Sequence, residues 1–168
     1  MSMTPMRALQ CPTTSLGNPI KEITMNWTIY LSGEIHTQWR EQIIAGCEGL
    51  GFTFLSPNTD HASSDDCGDL LGKEESPFWK DNKSAKINAI RTRKYIAAAD
   101  IVVVRFGDKY KQWNAAFDAG YASALEKSII TLHSPGIIHP LKEVNAAALA
   151  SAETPEQVVE ILKYISQD

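Results

Sequence analysis

The chain has 168 residues, of which 43% are hydrophobic and 21% are charged, and its net charge is −4. This length suits one globular domain with a sizeable core, and the acidic balance argues against a nucleic-acid-binding protein, which is usually basic. No apolar run reaches the ~18 residues of a membrane span, so we expect no membrane partner.

The cysteines indicate the cellular compartment, and the N-terminal segment indicates where the domain begins. Three widely spaced cysteines without a C-x-x-C pair indicate reduced thiols, as in a cytoplasmic protein. Residues 1–24 are rich in Thr, Ser and Pro and lack a secretory apolar core, which predicts a disordered extension. Residues 25–168 are then expected to form a single domain. Met25 could serve as an alternative translation start, because a strand follows it directly.

The domain begins with a strand–helix–strand pattern. The stretch 26–33, NWTIYLSG, is β-branched and aromatic and ends in glycine, which predicts a strand. The next stretch, HTQWREQIIAGCEGLG, has apolar residues at helical spacing, and Gly49 or Gly51 would end that helix. A short second strand is predicted over 52–57. This order is typical of a parallel sheet with a right-handed crossover.

The middle of the chain alternates polar and apolar segments. We expect 58–82 to be a long polar segment with a helical patch near Leu70. A helix is predicted over 84–99, with Ser84 as its N-cap. The nearly continuous apolar run 100–106, DIVVVRF, predicts a strand buried on both faces.

The last third of the chain continues the alternation. A helix beginning at Trp113 is followed by a predicted strand over 128–134, and a short fifth strand is predicted near AALASA. The tail ETPEQVVEILKYISQ begins with a capping box in which Thr154 is the N-cap and Gln157 lies three residues later. The sequence therefore predicts an α/β fold with a doubly wound, about five-stranded parallel sheet of flavodoxin-like or Rossmann-like type.

Such sheets bind ligands beyond the carboxyl ends of their strands. This rule selects the segments that follow the first four strands, of which the last is His133 and Ser134. With Asn114 from the helix that follows, the candidate substrate-binding residues are Ser32, Gly33, Glu34, His36, Ser56, Asn58, Gly107, Asp108, Lys111, Trp113 and Asn114.

Several chemistries are excluded by missing motifs. The chain has no dinucleotide fingerprint, no P-loop and no G-x-S-x-G elbow. The run DHASSDDCGD at 60–69 fits no standard calcium or zinc spacing and is interpreted as a solvated acidic loop. We therefore expect neither a metal nor another cofactor.

Charge is unevenly distributed along the chain. Positions 58–82 carry seven acids and two bases, a net charge of −5, whereas positions 83–112 carry eight bases and two acids, a net charge of +6. One interpretation is a solvated basic face that pairs with the acidic segment. The other is a phosphate site built from some of the bases Arg91, Arg93, Lys109 and Lys111.

Asp118 is unusual because it lies within a helix of small and apolar residues, WNAAFDAGYASA. One interpretation is an acid stabilised by the helix N-terminus, worth ~0.3–1 kcal/mol. The other places it in the ligand crevice, on one helical stripe with Asn114 and opposite the end of the first strand, where Tyr30 and Ser32 lie. The second interpretation makes Asp118 a candidate catalytic residue.

The motifs YLSG, ADIVVV and FDAGYA, followed by KSIITL, resemble those of the nucleoside 2-deoxyribosyltransferase superfamily over residues 27 to about 133. SGEIHTQWREQI, GDKYKQWN and HPLKEV resemble more closely the YtoQ family within it. The resemblance implies the doubly wound fold, a small-molecule nucleoside or nucleotide partner, and a homo-oligomer.

The resemblance also implies roles for two residues. In the superfamily a glutamate attacks C1′ of the sugar and releases the base, leaving a covalent ester, which is the retaining logic of glycoside cleavage. Asp118 occupies that position with a reach shorter by one methylene, roughly 1.5 Å. Tyr30 matches the tyrosine that hydrogen-bonds and orients the nucleophile.

Two superfamily acids are absent from this chain. Thr92 and Gln112 stand at their positions, and Asp108, Glu34 or His36 could replace one of them. Two function classes therefore follow from the resemblance. The first is an N-glycosidase or deoxyribosyltransferase with Asp118 as nucleophile, and the second is a non-catalytic nucleotide-binding module of the same fold.

Overall fold

The structure, a computed structural model, describes residues 26–109 and 113–167. Its centre is a five-stranded sheet in which every pair of neighbouring strands is parallel. The strands, in spatial order β2-β1-β3-β4-β5, are β1 (Thr28–Gly33), β2 (Thr53–Leu55), β3 (Ile101–Phe106), β4 (Ser128–His133) and β5 (Ala150–Ala152). The predicted doubly wound parallel sheet is therefore confirmed. The expected extension at 1–24, and also Lys111 and Gln112, lie outside the described residues.

The connections between the strands are mainly helical. The helices are α1 (Trp39–Gly46), α2 (His61–Asp65), α3 (Pro77–Ala98), α4 (Trp113–Ala124), α5 (Lys142–Ala147) and α6 (Pro155–Ile165). Short 3₁₀ turns occur at Cys67–Leu71, Pro135–Ile137 and His139–Leu141. None of the helices in the described part of the chain is long and apolar enough to cross a membrane.

Alternation along the strands divides the core into two layers. Ile29 and Leu31 of β1 pack with α1 and α6 on one face of the sheet. Tyr30 packs with α3 and α4 on the other face. Because side chains alternate along a strand, Ser32 points to the same face as Tyr30. The sequence of β1 thus directs a tyrosine and a serine towards the helix that carries Asp118.

The segment after β2 differs from the sequence prediction. α3 begins at Pro77, about two turns before the predicted start, and proline at the first helical position favours that start. The proposed N-cap Ser84 is wrong, because it lies buried inside α3. Its hydroxyl donates to the Asp65 carbonyl at 2.5 Å and accepts from the backbone of Gly68 at 3.1 Å. The long polar segment is therefore partly helical and hydrogen-bonded to α3.

The two capping predictions had different outcomes. α1 ends at Gly46 rather than at Gly49 or Gly51, which lie in the following turns with φ of 82° and 75°. The capping box of α6 is confirmed, with Thr154 accepting from the backbone of Gln157. The reciprocal bonds fix the start of α6 locally.

Candidate functional site

A cavity of about 870 Å³ opens at the carboxyl end of β1, between α2, α3 and α4. β2 and β3 flank β1 on opposite sides, so the cavity lies where the strand order reverses, the usual ligand position in such sheets. Its polar and charged lining residues include His36, Asn58, His61, Asp65, Asp81, Lys86, Asn88, Arg91, Thr92, Arg93, Asn114 and Asp118.

Asp118 lies on α4 at the cavity wall, and its carboxylate is held by β1. Ser32 Oγ donates a hydrogen bond to Asp118 Oδ2 at 2.6 Å. Burial raises the pKa of the Asp118 carboxyl above its usual range, and the hydrogen bond from Ser32 opposes that rise. A carboxylate held in place and partly stripped of water is suited to attack an electrophilic carbon.

Tyr30 is fully buried beneath the same carboxylate. Burial raises the pKa of Tyr30 to about 12, and the Asp118 carboxylate adds to the rise, so the phenol keeps its proton. The Thr92 side chain counters part of this effect, but no described residue makes a hydrogen bond of standard geometry with Tyr30 Oη. In this structure Ser32, rather than Tyr30, holds Asp118.

Tyr30→Phe is expected to leave the free energy of unfolding unchanged or to increase it. The reason is that a buried donor without a partner carries an uncompensated desolvation cost of about 1–3 kcal/mol. Thermal and urea unfolding of the two proteins would measure the difference. A loss of more than about 1 kcal/mol would instead indicate that the hydroxyl is hydrogen-bonded in solution.

Glu34 is almost completely buried in the turn after β1, and its carboxylate is fully engaged. It accepts hydrogen bonds from the backbone of His36 and from Thr37 Oγ1, and Arg105 Nε lies 3.9 Å from Glu34 Oε2. A Cβ at Gly107 would meet Glu34 Cγ at 2.6 Å, so the glycine makes room for this side chain. Glu34 therefore shapes the turn and is not exposed to a ligand in the cavity.

Arg40 is a buried residue of this turn that the sequence analysis missed. Its guanidinium donates to the carbonyls of Leu31, Gly33 and Glu34 at 3.0, 2.9 and 2.6 Å. Trp39 Nε1 also donates to the Glu34 carbonyl at 2.7 Å. Together these side chains supply the hydrogen-bond donors for the backbone carbonyls at the end of β1. Within HTQWREQI an arginine at this position is indistinguishable from a surface residue of an amphipathic helix.

The segment after β3 contributes less to the cavity than predicted. Gly107, Asp108, Lys109 and Trp113 do not line it. Ser134 Oγ donates a hydrogen bond to the Asp108 carboxylate, which ties this segment to the end of β4. Ser56 likewise lies outside the lining, although Asn58 is part of it. Asp108 is thus engaged elsewhere and does not take the position of a missing acid.

The predicted basic block is only partly at the site. Arg91 and Arg93 of α3 line the cavity, together with Lys86, which the sequence analysis did not single out. All three residues belong to α3, which forms one wall of the cavity. Lys109 is exposed and lies outside the lining.

The acidic run 60–69 is not simply a solvated loop. Its first part forms α2, with Asp60 as N-cap accepting from the backbone of Ser63 at 2.7 Å. His61 and Asp65 of this helix line the cavity, and the pattern D-x-x-S was the signal for its start. Among residues 26–109 and 113–167, no group of three or more His, Cys, Asp or Glu side chains is placed to hold a metal ion.

The sequence of the chain matches one family of known proteins. Residues 30–166 match the family described as nucleoside 2-deoxyribosyltransferase YtoQ. A Bacillus subtilis (strain 168) protein described as "Uncharacterized protein YtoQ" is 40% identical over 144 residues, which cover 84% of this chain and 97% of that protein.

Two solved structures share the fold. A 2-deoxyribosyltransferase from the psychrotolerant bacterium Bacillus psychrosaccharolyticus is 23% identical, with a TM-score of 0.51, covering 79% of this chain and 90% of that chain. A conserved protein from Enterococcus faecalis V583 is 15% identical, with a TM-score of 0.57, covering 83% and 98%. The same sheet and flanking helices therefore occur in proteins of distant sequence.

Proposed function

The chain belongs to the nucleoside 2-deoxyribosyltransferase YtoQ family, and from that premise we propose that it cleaves the N-glycosidic bond of a nucleoside or nucleotide with Asp118 as nucleophile. The observation that carries this proposal is the Asp118 carboxylate at the cavity wall, fixed by Ser32 at 2.6 Å. Asp118 is also the residue that matches the superfamily nucleophile.

The proposed reaction has two steps. A carboxylate oxygen of Asp118 attacks C1′, the bond between C1′ and the base nitrogen breaks, and the bonding pair leaves with the base. A glycosyl–aspartyl ester remains on the enzyme. Water, or a second base, then attacks C1′ and restores the free carboxylate. Both steps proceed by inversion, so the sugar keeps its configuration.

The neighbours of Asp118 suit this reaction. Ser32 fixes the direction of the carboxylate, and a fixed near-attack geometry contributes strongly to rate. The protonated Tyr30 is close enough for the Asp118 charge to raise its pKa, so its buried hydroxyl can donate to the carboxylate in the reacting complex. Asn114, four residues before Asp118, lines the same wall and suits a sugar hydroxyl.

The test of this function is base release. The full chain is incubated with a panel of nucleosides and 5′-monophosphates, ribose and 2′-deoxyribose forms of each base, and free base is followed by chromatography. Release from at least one compound supports the enzyme. Binding of a nucleotide without release from any compound would overturn the enzyme and leave the nucleotide-binding module.

We further propose that the substrate is a nucleotide, because Lys86, Arg91 and Arg93 line the cavity with Asp118. Wild type should bind a 5′-monophosphate more tightly than its nucleoside, and salt should reduce that preference. Replacing both arginines by glutamine should lower the preference about fivefold to tenfold, since each exposed charge pair contributes modestly.

Arg91→Gln and Arg93→Gln are also made singly, and their matched control is Lys94→Gln, which likewise removes one positive charge from the same helix but outside the cavity lining. Isothermal titration at two salt concentrations gives the affinities. The phosphate assignment is wrong if Lys94→Gln reduces the preference as much as each arginine replacement does, or if nucleoside and nucleotide bind equally at low salt.

A further inference from the structure

Departure of a nucleobase requires a proton source, because the base nitrogen gains the bonding pair of the broken bond. The carboxyl groups near Asp118 are poorly placed for this. Glu34 is buried with its oxygens engaged by the turn, and Asp108 accepts a hydrogen bond from Ser134 outside the cavity. Thr92, which stands where the superfamily has an acid, cannot donate an acidic proton.

His61 on α2 is the side chain with suitable chemistry at the opposite wall. It lines the cavity, and its Nδ1 lies 3.1 Å from Asp65 Oδ2. A carboxylate on one ring nitrogen orients the imidazole and leaves Nε2 to meet a ligand. The His36 ring lies beside it, with the two ring centroids 5.7 Å apart. Histidine is the side chain that ordinarily gains and loses its proton near neutral pH.

The rise per residue of helix α3 gives the separation of the two walls along the helix axis. Near its middle, Ser84 and Asn88 hydrogen-bond to Asp65 and Ser64 of α2. Further along, Thr92 and Tyr95 lie against Tyr30, next to Asp118. Ser84 and Asn88 precede Thr92 by eight and four residues, so the levels of α2 and Asp118 are separated by roughly 6–12 Å along the axis. This axial offset is compatible with a nucleobase attached to a sugar at Asp118.

We propose that His61, oriented by Asp65, is the general acid that protonates the leaving base. This inference rests on the proposed function. As the C1′–N bond breaks, the proton on Nε2 of the imidazolium passes to the base, and His61 becomes neutral. When water attacks the ester, its proton returns to His61, and Asp118 is released as a carboxylate. The sum is water plus glycoside giving free sugar and protonated base nitrogen.

The ionisable groups in contact with His61 are Asp60 and Asp65, at the two ends of α2, and His36 from the turn after β1. The charged residues Asp81, Lys86, Arg91 and Arg93 of α3 line the same cavity.

The test compares leaving groups in His61→Asn and in wild type. The nucleotide whose base wild type releases fastest is paired with a derivative whose base leaves without a proton: the N7-methyl form of a purine, or the 5-nitro form of a pyrimidine. His61→Asn should lower the rate about 100-fold or more for the ordinary base and less than threefold for the derivative. Asp65→Asn should show the same pattern in weaker form, and His139→Asn, outside the cavity, should match wild type.

The outcomes separate the two proposals. Equal loss with both leaving groups, or no loss with either, overturns the role of His61 while base release by wild type keeps the proposed function. No release by wild type from either compound overturns both. Circular dichroism and the melting temperature of His61→Asn establish that it is folded, and this exposed residue on a short helix is expected to tolerate the change.

Discussion

Asp118→Asn is expected to abolish base release, lowering the rate by at least about 10³-fold, because the covalent ester cannot form without the carboxylate. The amide keeps the size of the side chain, and its oxygen can still accept the hydrogen bond from Ser32 that is 2.6 Å long in the wild-type structure. Nucleotide binding should therefore change little. Single-turnover chromatography of free base measures the rate, and Asp69→Asn, an exposed carboxylate outside the cavity, is the matched control.

The same replacement should stabilise the fold at neutral pH. Burial raises the pKa of Asp118, so the folded protein keeps this proton to a higher pH than the unfolded chain does. The stabilisation from the protonated Asp118 carboxyl is complete below the unfolded-state pKa of ~3.9, and it is lost as pH rises through the folded-state pKa. Asp118→Asn removes that loss, so its advantage in melting temperature should appear at pH 7 and vanish at acid pH.

The pH profile of base release gives a further readout of the same assignment. Attack needs the ionised carboxylate, and its pKa is raised, so the acid limb should lie above the usual range of an aspartate. Base release that persists in Asp118→Asn would contradict the nucleophile assignment. Lower stability of the variant at pH 7 would contradict the burial argument and leave the nucleophile assignment intact.

Gly33→Ala is expected to cost about 3–5 kcal/mol of unfolding free energy, the largest stability loss predicted for this chain. Gly33 has φ of 101°, and a Cβ there would lie 2.1 Å from the carbonyl oxygen of Arg105 on β3. The added methyl must push two hydrogen-bonded strands apart, and no flexible side chain can give way. The melting temperature should fall by about 10 °C, measured by calorimetry.

Gly49→Ala is the matched control for this effect. Gly49 also has a positive φ, 82°, but a Cβ there would meet nothing within 4 Å. It should cost about 1–2 kcal/mol, from the backbone conformation alone. The difference between the two variants isolates the contact with Arg105. Equal losses would show that β1 and β3 separate easily at their carboxyl ends, contrary to the packing described here.

The fold and the position of Asp118 could be predicted because they depend on short-range patterns. Buried parallel strands appear as apolar runs, and the ends of those strands locate the crevice without coordinates. Asp118 was recognised because a carboxylate contrasts with the small residues of α4. The partner of Asp118 was predicted less well, since strand alternation places Tyr30 and Ser32 on one face and cannot decide which one reaches the carboxylate.

The features that were missed depend on tertiary context. Arg40 is buried because three carbonyls at the end of β1 converge on it, and nothing in a helix beginning WREQ indicates that convergence. His61 was assigned to a solvated loop because the spacing of the acids in 60–69 fits no metal motif. That spacing carries no information about whether the segment packs against α3. The start of α3 was placed too late because the polar run KDNK at 80–83 resembles a loop when taken alone.

The way α2 is attached to α3 has a consequence for turnover. α2 has no buried residue, and its contact with α3 consists largely of hydrogen bonds involving Ser84 and Asn88. Leu70 and Leu71 of the adjoining 3₁₀ turn are mostly exposed, so little apolar area holds this wall. It can therefore open as a sub-global unit while the sheet stays folded. In the proposed reaction, we expect the substrate to enter and the base to leave on the α2 side of the cavity, while Asp118 stays on α4 against the sheet.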